Sequence, residues 1–130
     1  MKKQHLFKLA ALLVLCCAIL SCTKETPPTT IYGTVFNSIT HEPVIGAEIE
    51  VGYHYSIDPV QTTVGLHGLS SAVSGNDGQY ELSFGEINYD KQRSILFYVK
   101  VSASGYNTKK QDVAISIGNR SQVDVNLVPY

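Results

Sequence analysis

The sequence predicts an all-β fold, an antiparallel β-sandwich of the seven-stranded type, and three observations carry that expectation. Apolar residues recur at every second position from Ile31 onward, the periodicity of strands with one buried face. No helix-length window carries a sustained helical stripe. The apolar runs are short and are separated by clusters of Gly, Pro, Asn and Asp, the punctuation of sheet-forming chains with tight turns.

Taken in order, "IYGTVF" places Ile31, Gly33 and Val35 on one face. "AEIEVGY" alternates Ala47, Ile49 and Val51 with Glu48 and Glu50, so one face is expected to be buried and the other charged. "QYELSF" directs Tyr80, Leu82 and Phe84 inward and Gln79, Glu81 and Ser83 outward. "SILFYVKVSA" sets Ile95, Phe97, Val99 and Val101 against Lys100 and Ser102, and "VDVNL" sets Val123, Val125 and Leu127 against Asp124 and Asn126. Pro43, Gly46, Gly105, Gly118 and Asn119 mark the breaks between runs. The stretch from His54 to Leu69, with two Gly and a Pro, reads as a long loop with an edge strand in it.

"SGNDG" at 74–78 is the one stretch whose composition suits a calcium loop, a phosphate cradle or a plain turn. A helix-flanked calcium loop needs several alternating oxygen ligands and a closing bidentate acid. Asp77 is the only acid between Asp58 and Glu81, and the flanks are strand-like. The stretch is therefore expected to be the turn of a β-hairpin from Val73 to Leu82, with Gly75 and Gly78 permitting the bend.

The N-terminus has a different organisation. "MKKQHLFK" supplies three lysines, Leu9 to Leu20 is an apolar run of 12 residues, and Ser21 is a small residue before Cys22. About 18 apolar residues are needed to cross a bilayer, so residues 1–21 read as a signal peptide. "ILSC" resembles the lipobox of bacterial lipoproteins, which implies cleavage before Cys22 and acylation of that residue. Residues 22–30 then form the lipidated cysteine and a Pro- and Thr-rich tether reaching roughly 25 Å. Residues 31–130 form one domain. The expected location is a bacterial membrane, most simply the outer membrane, reached through the lipid at Cys22.

After removal of the signal the chain has seven Lys and Arg against eleven Asp and Glu, a formal net charge of −4. Such a balance gives no reason to expect nucleic acid as a partner. Cys16 and Cys17 leave with the signal and Cys22 takes the lipid, so disulfides, cysteine zinc sites and cysteine nucleophiles are not expected in the domain.

Four stretches, "GTVFNSITHEPVIGAEIEV", "SGNDGQYEL", "VKVSASGYNTK" and "VDVNLVP", resemble in order the carboxypeptidase regulatory-like domain, a transthyretin-like (prealbumin-like) sandwich found in bacterial envelope proteins. The resemblance covers Ile31 to Pro129 and implies a companion module without peptidase chemistry. Two features depart from the family pattern: Gly75 stands where an acid is usual, and the stretch from Tyr53 to Leu69 is longer.

Catalytic motifs are not found. His41 and Glu42 precede a proline and lack a second histidine at helical spacing, so the zinc-peptidase motif is absent. His41, His54 and His67 follow no ligand spacing and read as solvated, so no metal and no cofactor are expected. The chain ends "NLVPY", without the tyrosine, arginine, glycine, serine ending of the hydroxyisourate hydrolases that share the transthyretin-like fold. "GLSSA" and "SASGY" lack the nucleophile elbow, and "IYGTVF" lacks the lysine that an isopeptide bond to Asn126 would need.

The expectation is thus a protein that is no enzyme. It would be an interaction or structural module with an envelope protein as partner, or a glycan-binding accessory lipoprotein. Tyr53, His54, Tyr55, Tyr89 and Tyr98 exceed the aromatic groups that a core of this size needs, and of these Tyr53, His54, Tyr55 and Tyr89 are the candidate binding residues, because exposed aromatic rings suit sugar or protein surfaces.

Overall fold

The computed structural model describes residues 25–56, 64–87 and 94–130. These form eight strands, β1 (Thr29–Asn37), β2 (Glu48–Ser56), β3 (Val64–Val73), β4 (Gln79–Phe84), β5 (Ser94–Ser102), β6 (Lys109–Val113), β7 (Arg120–Gln122) and β8 (Val125–Leu127). One sheet has the order β4-β1-β7, with β8 also paired to β1; the other has the order β3-β2-β5-β6. Packed face to face, they make the β-sandwich expected from the alternation.

The core lies between the sheets and is built from the predicted parity. Ile31, Val35, Tyr80, Leu82, Phe84, Val125 and Leu127 come from one sheet. Ile49, Val51, Tyr53, Phe97, Val99 and Val101 come from the other. Phe84 and Phe97 stack across the interface with ring centroids 6.2 Å apart. Each fully buried aliphatic or aromatic side chain contributes about 1.5–3 kcal/mol, so this list supplies the main driving force for folding.

β1 is the hub, because it alone pairs with three other strands. β4 runs antiparallel to it, whereas β7 and β8 run parallel, which corrects the expectation of a wholly antiparallel sandwich. β7 and β8 are one strand interrupted at Val123 and Asp124, since the register is the same on both sides: Tyr32 opposes Gln122 and Val35 opposes Val125. The interruption has a local cause. Gly33 and Tyr80 are direct cross-strand partners, and the Tyr80 hydroxyl donates to the Val123 carbonyl at 2.5 Å. A Cβ at Gly33 would overlap that carbonyl oxygen. The Asp124 carboxylate then takes over a ladder role by accepting the Thr34 N–H at 2.9 Å. Burial, and after it the Asp124 charge, pushes the Tyr80 hydroxyl pKa well above its ordinary value, so this donor keeps its proton.

Two further expectations are corrected, and one is met in part. Val73 to Leu82 is not a hairpin, because β3 pairs with β2 while β4 pairs with β1; the 74–78 turn carries the chain from one sheet to the other. Of its two glycines only Gly78 has positive φ, at 74°. In the stretch from His54 to Leu69, the expected edge strand is β3, which begins at Val64 at the edge of its sheet, while β2 continues to Ser56; the expected loop falls on residues outside the described ones. Lastly, β1 starts at Thr29, so the last two residues of the expected tether belong to the sheet.

Candidate functional site

The candidate binding residues do not form one exposed aromatic surface. Tyr53 points into the core, 7 % exposed, with its ring edge-on to Phe97 at 6.4 Å and stacked on His67 at 5.2 Å. Its parity with Ile49 and Val51 dictates that position. Tyr55 belongs to β2, but its side chain lies outside the described residues, as do Tyr89 and Cys22. His54 is on the outer face of the same sheet and is also buried, which corrects its reading as a solvated histidine.

That outer face holds a compact polar group around Tyr98, which the sequence counts among the surplus aromatic groups. Tyr98 lies directly opposite Gly52 and is only 2 % exposed. A Cβ at Gly52 would sit too close to the Tyr98 ring, so the glycine makes the niche in which the ring lies. The Tyr98 hydroxyl donates to Glu50 Oε1 at 3.0 Å, and Lys110 Nζ stands 4.4 Å from the ring centroid. His54 stacks on the other side at 6.2 Å, with its Nε2 3.8 Å from Asp112 Oδ1 and its Nδ1 buried without a hydrogen bond. Burial, reinforced by the hydrogen bond and charge of Glu50, raises the Tyr98 pKa, so the hydroxyl serves as a donor. The signal that points to this group is the Gly52–Tyr98 pair, an aromatic ring covering a strand glycine, but it is visible only once the register is known.

The face of the opposite sheet is simpler. Arg120 forms a two-pronged pair with Glu81, at 2.9 and 3.3 Å, and its guanidinium lies 4.8 Å over the Tyr32 ring. The hydrogen bond and charge of Arg120 lower the Glu81 pKa and are themselves satisfied by the pairing. Among the described residues no group of three or more His, Cys, Asp or Glu comes together to hold a metal ion.

The two ends of the sandwich differ more than its two faces. β1 starts at the tether end, and β2 and β4 finish there while β3 and β5 begin there. At the opposite end lie the loops 38–47, 74–78, 103–108 and 128–130. Five of the seven large exposed hydrophobic residues described, Ile39, Ile45, Val73, Val128 and Tyr130, are at this far end. The loops there are braced. Asn37 Oδ1 accepts the backbone N–H groups of Ile39 and Thr40, and the Asn37 side-chain amide donates to the Tyr106 hydroxyl at 3.2 Å. Buried Ser74 donates to the Val44 carbonyl at 2.7 Å and accepts the Ala47 N–H at 2.9 Å. Apolar side chains are therefore displayed by loops of fixed shape. Ser74→Ala would leave both backbone groups without their partner and should cost roughly 1–3 kcal/mol in a urea unfolding experiment.

No family model matches the chain, and no curated protein matches it in sequence. The likeness is to solved structures. A dioxygenase domain from Streptomyces sp. SirexAA-E, part of a dioxygenase carbohydrate-binding protein fusion, superposes with TM-score 0.54 at 15% identity over 85% of each chain. Hydroxyquinol 1,2-dioxygenase from Pseudomonas putida DLL-E4 gives 0.52 at 13% identity, over 83% of this chain and 58% of that one. The shaft pilin SpaA from Lactobacillus rhamnosus GG gives 0.51 at 13% identity, over 80% and 47%. At such identities the likeness establishes the β-sandwich fold and nothing finer. It also corrects the expectation that the chain is no enzyme. Dioxygenases as well as a structural pilin are built on this fold, so missing hydrolase motifs do not exclude catalysis.

Proposed function

We propose that the chain is a lipid-anchored protein of the bacterial envelope, held to a membrane through Cys22 and resembling the carboxypeptidase regulatory-like domain. Its far-end loops serve as a docking surface for an envelope protein. The observation that carries this reading is the polarity of the sandwich, with the tether entering at one end and the exposed apolar side chains gathered at the other. Rigid loops carried on a packed sandwich are a favourable place for recognition, because they can change without disturbing the core. The described part of the stretch from Tyr53 to Leu69 is strand, with Tyr53 in the core, so the far-end loops replace it as the proposed contact.

Crosslinking in membranes tests the proposal. The double variant Ile39→Asp, Ile45→Asp should fold as the parent does, since both side chains are exposed by 60 % or more, and should lose the crosslinked partner. Retention of the same crosslinked protein would show that these loops are not the contact.

A further inference from the structure

At the tether end, Pro27 lies over Gly118, and with Gly85, Ile87 and Ile117 it lines an apolar groove of about 190 Å³. The tether is fastened there. The Gly118 N–H donates to Thr29 Oγ1 at 2.9 Å, and the Thr30 N–H donates to the Asn119 carbonyl at 3.0 Å. Ile117 remains 42 % exposed in this position.

Only five residue steps separate Cys22 from Pro27. Fully extended they span about 17 Å, and as a flexible chain their mean reach is roughly 12 Å. The headgroup layer that an acylated cysteine must cross takes up about 5–8 Å of that. Once Cys22 is acylated, the groove is therefore held within about 4–12 Å of the lipid surface.

Resting on the anchored reading above, we propose that the groove around Pro27, Ile87 and Ile117 sits on the lipid interface. The short tether keeps it there, and the sandwich stands with its strands along the membrane normal and its far-end loops pointing away. Contact by so small an apolar surface is weak in free solution. The anchor makes it an intramolecular event with a high effective concentration. Glu86 lines the groove and Glu25 stands next to its Thr26 in the chain, so the surface it fits is a weakly charged, zwitterionic headgroup layer and not a strongly anionic one.

The test uses the full-length lipidated protein in phosphatidylcholine–phosphatidylethanolamine vesicles carrying a headgroup-attached quencher. Cys22 is consumed by the lipid and the domain has no other cysteine, so a thiol-reactive fluorophore reports one introduced site at a time. Labels at Ile117→Cys and Glu86→Cys should be quenched, and a label at Ile39→Cys should not. Protein that floats with the vesicles while positions 117 and 86 stay bright overturns the contact and leaves the anchor standing. Equal quenching at 39 and 117 overturns the upright orientation. Failure of the protein to float with vesicles overturns the anchor and this inference together.

Discussion

Gly33→Ala is expected to destabilise the domain by roughly 3 kcal/mol, the upper part of the range for overpacked interiors. The added methyl would occupy the position of the Val123 carbonyl oxygen, which cannot move away freely. That carbonyl is held by the Tyr80 hydroxyl, and the Val123 N–H is held by the Tyr32 carbonyl at 2.8 Å. Relief therefore requires β7 and β8 to withdraw from β1, the strand on which the first sheet is organised. For a domain of this size the loss corresponds to a fall in Tm on the order of 15 °C. Calorimetry of the mature chain reads it directly, and a shift of only a degree or two would mean that the strand break can relax around a side chain.

Gly78→Val has the second-largest expected effect, roughly 2–4 kcal/mol, because two independent penalties add. Positive φ is strained for a β-branched residue, at about 1–3 kcal/mol. A Cβ at Gly78 would also lie 2.7 Å from the Val35 carbonyl oxygen and 2.8 Å from Pro43 Cβ. Both penalties begin at the Cβ and so are shared by Gly78→Ala, and the extra methyl groups of valine enlarge them; the contact with Val35 and Pro43 ties the turn to both β1 and the loop that follows it. Urea unfolding of the alanine and valine variants separates them: both should be destabilised, valine more. An unaffected alanine variant would contradict the need for this conformation at the sheet crossing.

The strands of the core were readable in advance wherever buried and exposed residues alternate cleanly. Ile49 and Val51, Tyr80 to Phe84, and Phe97 to Val101 occupy the predicted faces because burial of one sheet face fixes the parity of every residue along it. β3 was obscured by its own irregularity. Pairing shifts leave Gly65 and Leu69 as extra residues, and each shift resets the period of two on which the reading depends. β6 was missed for a different reason. "KKQDV" has little apolar content, as suits an edge strand whose lysines discourage pairing with other chains.

The candidate site was less legible than the fold. Tyr53 was selected as an aromatic hydroxyl for binding, yet its parity with Val51 already places it in the core. Tyr98 stands out in the sequence only as one more aromatic hydroxyl on the outward parity of β5; its burial depends on Gly52, Glu50, His54 and Lys110 converging from neighbouring strands. The clustering of Ile39 and Ile45 with Val73, Val128 and Tyr130 is likewise a product of strand direction. No local motif joins loops so far apart in sequence.

The anchor at Cys22 is the claim on which the proposed function depends most, and mass analysis of the N-terminal peptide from membrane-purified protein tests it most directly. The account predicts a chain that begins at Cys22 and carries acyl groups on that residue, and a Cys22→Ala variant that incorporates no labelled fatty acid and remains as uncleaved or mislocalised precursor. A parent protein that has an unmodified thiol at Cys22, with no fatty acid incorporated and membrane fractionation unchanged in Cys22→Ala, would contradict it.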